Sequence, residues 1–465
     1  MIDPRVASGL RDLLPATMIV RERALAAFRE SLTGFGFVPI ETPHIERMDV
    51  LTGKGAGSDE VLRQIYEVTN KGGERGELGL RFDLTVPLAR FVAKNLNELG
   101  RPFKRYAVGS VFRGERPAKG RFREFLQCDF DIVGTESPLA DAEILQAVYH
   151  TLDRIGVPAF MITVNHRQIL GGLFRKLGLG EQSGRLLRAL DKLAKIGRDK
   201  VIAEMTGQGS ATEGEASPPP TPGIAAEQAG QILDFVERGR GDIEVLSAVA
   251  PFLDGDAEAL AGIDALRDLF DLAAAGGVPA PSLRVDVGLA RGLDYYTGMV
   301  LETTVDGWER FGSIASGGRY DNLTRLFTDQ PMPGVGASIG LDRLLALFDE
   351  AGWSQGTSAP VPVLVAQSPG GDRRQLVAIA ARLRDAGIGA EVYPDPIAIG
   401  KQMQYGTTRG HRFAVLRKPE DEAASTFSLR DLSSRVERKE LPLADLEATV
   451  LEAISSRPAG GGATS

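Results

Sequence analysis

Basic side chains crowd together where a polyphosphate could use them. Between Arg101 and Arg123 the chain carries eight basic residues against the single acid Glu115. Arg113 opens the richest stretch, and Arg116, Lys119, Arg121 and Arg123 follow within ten residues. An unpaired guanidinium in a cleft carries a large desolvation cost, so a row of them calls for anions. The separate oxygens of a polyphosphate would meet that need through bidentate contacts; charge alone equally allows a solvated surface turn. Farther on, Gly336 to Gly340 leads into an apolar helix that places Arg343 in its first turn, where a cation opposes the helix dipole. A bound anion would offset that repulsion, helped by the backbone amides of the same terminus.

The residues just after the basic stretch alternate. Leu126, Cys128, Phe130 and Ile132 interleave with Phe125, Gln127, Asp129 and Asp131, the period of a strand. The first set is expected to face a core, which leaves an amide and two carboxylates on the opposite face. In the preceding strand Arg113 and Glu115 share one face by the same parity. The four histidines, His44, His150, His166 and His411, are scattered without ligand spacing, so they read as structural and no dedicated metal site is expected. Cys128 is the only cysteine and cannot form an internal disulfide.

The scaffold that must hold these residues is large. With 465 residues, two or three domains and a multidomain enzyme fit better than a small binding module. A net charge of −8 argues against indiscriminate nucleic-acid binding, and the local basic stretch can still steer an anion into one cleft. The chain has no run of 18 apolar residues, and its first residues lack the basic and apolar regions of a leader. A soluble, unprocessed, cytoplasmic protein without a membrane partner is therefore expected.

Val20, Ala24, Phe28 and Leu32 recur every four residues, predicting an amphipathic helix over 18–32 that Gly34 ends. A short strand over 37–40 should meet a bend at Thr42 and Pro43. Over 80–95 a strand gives way to a helix that Asp83 or Thr85 can cap, and 103–134 reads as a long antiparallel hairpin. Strands are expected at 283–288 and 297–305, and a strand then a helix over 335–349. Four segments follow from these patterns: a first core part over 1–166, a mainly helical insertion over 167–280, a second core part over 281–355, and an α/β domain over 361–452. The insertion is broken by a Gly, Ser and Pro-rich loop at 207–223, and 453–465 reads as a disordered tail.

The segment Phe112 to Ile132 resembles motif 2 of the class II histidyl-tRNA synthetases. Gly334 to Leu344 resembles their motif 3, and the first helix with Pro39 to Pro43 resembles the dimer-forming motif 1. Two stretches, Arg291 to Gly298 and Ser316 to Leu323, are similar to signatures peculiar to the histidine enzymes. The likeness spans about residues 8–440. It implies an α+β catalytic core, an antiparallel sheet flanked by helices, with a helical insertion and a C-terminal α/β domain like the anticodon-binding domain of several class II synthetases. The activity implied is an ATP-dependent, AMP-forming ligation of L-histidine to tRNA(His), with Mg²⁺ on the phosphates and a homodimer as the working form.

Carried onto matching positions, the resemblance makes Arg113 the α-phosphate ligand, sets Glu115 near the adenine amino group and stacks Phe125 on the ring. Arg121 and Arg343 would hold the β- and γ-phosphates. Histidine recognition falls to Asp131 and Tyr296 for the two imidazole nitrogens, with Tyr295 alongside, and to Asp83, Leu84, Thr85 and Gln127 around the α-amino group. Arg291 would meet the reacting carboxylate and the α-phosphate. Two departures stand out: Asp83 lies where many bacterial members carry glutamate, and Ser316 and Asn322 replace common glycines. In the C-terminal unit, Arg409, Arg412, Arg417, Lys418, Arg430, Arg435, Arg438 and Lys439 are candidates for contacts to tRNA phosphates. A regulatory relative without ligase activity, or a synthetase for another amino acid, would be expected to lack the two histidine signatures.

Overall fold

A computed structural model describes residues 2–53, 62–69, 72, 76–118, 120–208, 223–290, 295–353, 359–367 and 370–456. The chain divides into two compact units, one made of 1–12 with 23–351 and the other of 13–22 with 352–465.

The first unit is built on a nine-stranded sheet. In spatial order its strands are Val38–Pro39, Phe103–Phe112, Glu124–Val133, Gly334–Gly340, Ala315–Tyr320, Met299–Val305, Phe160–His166, Leu283–Asp286 and Arg240–Gly241. Neighbours pair antiparallel except at Val38–Pro39 with Phe103–Phe112 and at Phe160–His166 with Leu283–Asp286. The expected hairpin forms, with Arg105 opposite Asp131 and Phe112 opposite Glu124. The ladder continues one step past the strand, because Arg113 N donates to Arg123 O at 2.9 Å.

One face of this sheet carries the anticipated core. Phe130 is fully buried and meets Phe28 and Phe37 edge-on, at 6.2 and 5.8 Å between centroids. Phe28 belongs to the helix Pro15–Gly34, whose Ala24, Leu25 and Leu32 are buried beside it. Ser31 of that helix hydrogen-bonds Thr151 of Pro138–Ile155 at 2.8 Å, a polar contact inside an otherwise apolar layer. The opposite face is nearly as well covered, since Asp129 and Asp131 are only 2 % and 3 % exposed. Burying those carboxylates is unfavourable for folding, so this face is where function is to be sought.

Between Arg167 and Ala275 the described chain is mainly helical, and most of the Gly, Ser and Pro-rich loop falls outside the described residues. The strand Ala315–Tyr320, in the middle of the sheet, has no counterpart among the strands read from the sequence. Its two glycines and its serine hide the β-branched signal that marks a strand.

The second unit holds a five-stranded sheet in the order Ala390–Val392, Val363–Gln367, Phe413–Arg417, Thr426–Asp431, Glu437–Pro442. Val363 and Val365 point into one apolar cluster while Leu364 and Ala366 point into another. Burial on both faces explains the uninterrupted hydrophobic run of a parallel central strand. The alternation of strand and helix up to Phe413–Arg417 follows the pattern read from the sequence. Two antiparallel strands and the helix Leu446–Ser455 complete the unit. Glu437–Pro442 is a polar edge strand, and Thr426–Asp431 inside it buries Phe427 and Leu429 between polar residues, so neither carries such a run. The helix takes in 453–455, which the sequence reading assigns to the disordered tail, and the rest of that tail from 457 on lies outside the described residues.

Candidate active site

Both buried carboxylates open onto one cavity of about 420 Å³ in the first unit. Eleven of the side chains singled out from the sequence line it: Asp83, Thr85, Arg113, Glu115, Arg121, Phe125, Gln127, Asp131, Tyr295, Tyr296 and Arg343. Leu84 does not; its side chain is buried in a small apolar cluster with Ala107 and Val111. Arg291 and Lys119 lie outside the described residues.

The basic end is assembled by the loop between the hairpin strands and by the start of Leu341–Glu350. Arg113 stands one residue beyond its strand. Its Nε donates to Phe82 O at 3.1 Å, and its guanidinium sits 5.1 Å from the Phe125 ring centroid. A tight turn closed by Ala118 and Arg121 brings Gly120 beside Arg343, where an added Cβ would lie 3.7 Å from Arg343 Cγ. Arg121 and Arg343 thus face one volume. Arg343 donates to Ser313 O, and Arg121 is half exposed with Glu115 Oε2 at 3.6 Å.

N-terminal residues brace this loop. Arg123 N donates to Gly9 O at 2.9 Å and Arg123 Nη1 to Ser8 O at 3.1 Å. Arg11 stacks 3.6 Å from the Phe122 ring centroid and pairs with Asp342. The other oxygen of Asp342 accepts from Leu126 N at 2.5 Å.

The acidic end depends on missing side chains as much as on present ones. Arg105, Asp131, Gly336 and Gly318 form one row across four adjacent strands. A Cβ on Gly336 would fall 1.9 Å from Asp131 Oδ1, and one on Gly318 would fall 2.8 Å from the Tyr296 ring. Glycine at these two positions lets a carboxylate and a phenol lean over the sheet. Asp131 Oδ1 accepts from Tyr320 Oη at 2.5 Å, and its other oxygen lies 2.5 Å from Arg105 Nη2. Gln127 Nε2 donates to Ser338 Oγ at 2.9 Å.

Asp83 is held by the turn ahead of Thr85–Lys94, where its Oδ1 accepts from Val86 N at 3.2 Å. The N-cap position itself falls on Leu84, between the two residues expected to cap, and Thr85 is the first helical residue; Asp83, one residue before the cap, still meets a first-turn N–H. The second oxygen of Asp83 and Oε1 of Gln127 are buried with no hydrogen-bond partner among the described residues. Two unmet acceptors facing one pocket call for a donor from a ligand. Burial pushes the Asp83 carboxyl up to about 7, with the Asp129 charge adding to it. Burial likewise raises Asp129 to about 6, opposed by Arg105. An ammonium group entering here would favour the ionised forms.

The two signature stretches are tied together. Thr297 Oγ1 donates to Asp321 Oδ2 at 2.5 Å, and Thr297 N to Arg319 O at 2.8 Å. Arg319 points away from the cavity and braces the strand against Asp141 at 3.0 Å. Of the two departures, Ser316 lines the cavity opposite Ser338, and Asn322 precedes a short 3₁₀ turn.

Reading the sequence left Arg105, Tyr320, Ser338 and Gln64 without a role and Asp129 with none beyond its strand face. The signal for Arg105 was its parity with Arg113; what it faces across the hairpin needed the register.

Comparison with known proteins bears on the whole length. A family profile described as Histidyl-tRNA synthetase matches residues 9–344, and one described as Anticodon binding domain matches 365–453. The chain is 46% identical over 436 residues to Histidine–tRNA ligase of Rhodopirellula baltica, covering 94% of this chain and 95% of that relative. It is 40% identical to the corresponding ligase of Wolinella succinogenes over 93% and 94% of the two chains. The crystal structure of a histidyl-tRNA synthetase from Nostoc sp. PCC 7120 superposes with a TM-score of 0.84 at 33% identity, covering 97% of this chain and 100% of that one. The fold is also shared, at 20% identity and a TM-score of 0.69, with an ATP phosphoribosyltransferase regulatory subunit/histidyl-tRNA synthetase from Bacillus halodurans, over 86% of this chain and 97% of that one. Because the first profile spans every residue of the cavity and the relatives match along nearly their full length, the chain belongs to the histidyl-tRNA synthetase family.

Proposed function

We propose that this chain is a histidine–tRNA ligase, which activates L-histidine with ATP and then transfers it to the 3′ end of tRNA(His). The observation that carries the reading is the single cavity with an arginine-lined end and a carboxylate-lined, glycine-floored end. In the first step the histidine carboxylate attacks the α-phosphorus, the bond to the β-phosphate oxygen breaks, and pyrophosphate leaves. Negative charge spreads over the phosphate oxygens as this happens. Guanidinium groups fixed beforehand stabilise that charge without reorganising.

Arg113 is assigned to the α-phosphate and Arg121 and Arg343 to the β- and γ-phosphates, with Phe125 stacked on adenine and Glu115 at its amino group. Asp83, Thr85 and Gln127 take the α-ammonium group, and the unmet acceptors of Asp83 and Gln127 support this. Asp131 and Tyr296 take the two imidazole nitrogens, with Tyr295 beside them. Arg291 is assigned to the carboxylate and α-phosphate on family resemblance. Mg²⁺ would arrive on the phosphate oxygens; the described residues hold no group of three His, Cys, Asp or Glu side chains suited to a metal. A cytoplasmic homodimer is the assembly expected. Among the described residues no helix is long and apolar enough to cross a membrane.

Histidine-dependent exchange of pyrophosphate into ATP, followed by charging of tRNA(His), tests the reading directly. Arg113→Ala should abolish exchange while the circular dichroism spectrum stays native, because the lost contact strengthens in the transition state. Near-normal exchange by the folded variant would remove the ATP assignment.

A further inference from the structure

Beneath the carboxylate end of the cavity lies a charged side chain that the proposed chemistry has not used. Arg105 is 0 % exposed, and among the described residues none of its guanidinium nitrogens has a hydrogen-bond acceptor in good geometry. Its ion contact is with Asp131, Nη2 to Oδ2, at 2.5 Å. As a device for stability alone this is a poor choice, since packed apolar side chains usually do as well as a buried ion pair. From the other side Tyr320 Oη donates to Asp131 Oδ1 at 2.5 Å. Each oxygen of one carboxylate is therefore met by a different buried side chain, from the strands Phe103–Phe112 and Ala315–Tyr320.

We propose that Arg105 and Tyr320 are positioning residues for histidine selection: together they hold the Asp131 carboxylate ionised and turned toward the imidazole. The proposal rests on the reading of Asp131 as the imidazole-binding residue. A carboxylate buried among other carboxylates tends to take up a proton, and burial does raise Asp131. Arg105 is the largest opposing influence and the Tyr320 hydrogen bond the next. Tyr320 is itself held well above its ordinary titration range by burial, so it stays a donor at any working pH. Among the described residues, the charged and titratable groups around Asp131 are Arg105 on the neighbouring strand, Asp129 on its own strand and Tyr320 across the row of glycines, with Tyr296, Asp83 and Arg113 lining the same cavity. The strand Gly334–Gly340 faces Asp131 with Gly336 and adds no charge. A protonated Asp131 would lose its attraction for an imidazole N–H and could offer a competing donor instead.

The test uses the full chain in histidine-dependent pyrophosphate exchange across a range of pH, with Arg105→Met, Arg105→Lys, Tyr320→Phe and Asp131→Ala. Arg105→Met should raise KM for histidine about ten- to a hundredfold while KM for ATP stays within about twofold. The acid limb of kcat/KM for histidine should move to higher pH than in the unsubstituted protein; free histidine titrates identically in both and cancels from the comparison. Arg105→Lys should restore most of the activity, and Tyr320→Phe should shift both readouts in the same direction by less. If Arg105→Met does not fold, Tyr320→Phe and the charge-balanced double variant Arg105→Met/Asp131→Asn carry the test. The double variant should fold and still use histidine poorly. A folded Arg105→Met or Tyr320→Phe protein with unaltered histidine KM and pH profile overturns the proposal, as does an equal rise in KM for ATP. Normal histidine use by Asp131→Ala would overturn the pocket assignment and this proposal with it. A damaged Asp131→Ala beside an unaffected Arg105→Met removes the proposal alone.

Discussion

Asp83 serves the fold and the pocket in opposite ways. One oxygen accepts from Val86 N in the first turn of the following helix, while the other is buried toward the cavity with no partner among the described residues. Burial lifts its pKa from 3.8 to about 7, so at intermediate pH the folded protein keeps a proton that the unfolded chain has released. Stability from this group is therefore full below the ordinary carboxylate range and is lost as pH rises toward about 7. Asp129, lifted to about 6, acts with the same sign. Asp83→Asn keeps an acceptor for Val86 N and removes the buried charge. Without substrates it should raise the melting temperature by several degrees at pH 8 and change it little at pH 4, while KM for histidine increases. A gain of equal size at both pH values would show that the desolvated charge is not its cause.

Strands and loops set the two ends of the cavity independently, so single changes in each element should separate the two substrates. In the strand Gly334–Gly340, a methyl group at position 336 would collide with Asp131 Oδ1. Gly336→Ala should therefore raise KM for histidine at least about tenfold and leave ATP use near normal. At the other end, Arg11 links Phe122 to Asp342 and thereby ties the loop after Arg113 to the helix that carries Arg343. Arg11→Ala should raise KM for ATP about three- to tenfold, the scale of one partly buried cation–π contact and its ion pair. Histidine KM should stay unchanged. Steady-state exchange kinetics decide both cases: Gly336→Ala acting on ATP, or Arg11→Ala acting on histidine, would mean that the ends are not separable.

For the whole molecule, tRNA engagement is assigned to the second unit in addition to the cavity, and the structure narrows the basic residues that could serve. Arg417 is buried and bonded to Gln375. Arg412 donates to the carbonyls of Ile454 and Ser456, and Arg430 faces Glu437. Arg417 and Arg412 are thereby committed to contacts within the unit, whereas Arg430 keeps about a third of its side chain exposed. Arg435 and Lys439 are exposed. Replacing both by alanine should raise KM for tRNA and flatten the salt dependence of charging, with pyrophosphate exchange unchanged. Unaltered tRNA kinetics would place the contact surface elsewhere on the unit.

Alternation and spacing in the chain were enough to put Gln127, Asp129 and Asp131 on one face and Phe130 on the other. They also sufficed to begin a helix within two residues of Asp83 and to place Arg343 in a first turn, since these follow from the periods of strand and helix and from local turn chemistry. The strand Ala315–Tyr320 stayed hidden, because small residues selected for the space they leave open carry little strand propensity. The partners of each side chain were hidden for a different reason. Alternation decides which face a residue occupies, while the residue beside it on the next strand depends on register, and register is set by the packing of distant segments. Arg105 and Asp131 on one hairpin and Gly336 and Gly318 in line with them come from segments some two hundred residues apart along the chain. Only the folded sheet could bring these four into one row and set Tyr320, two residues along from Gly318, within reach of Asp131.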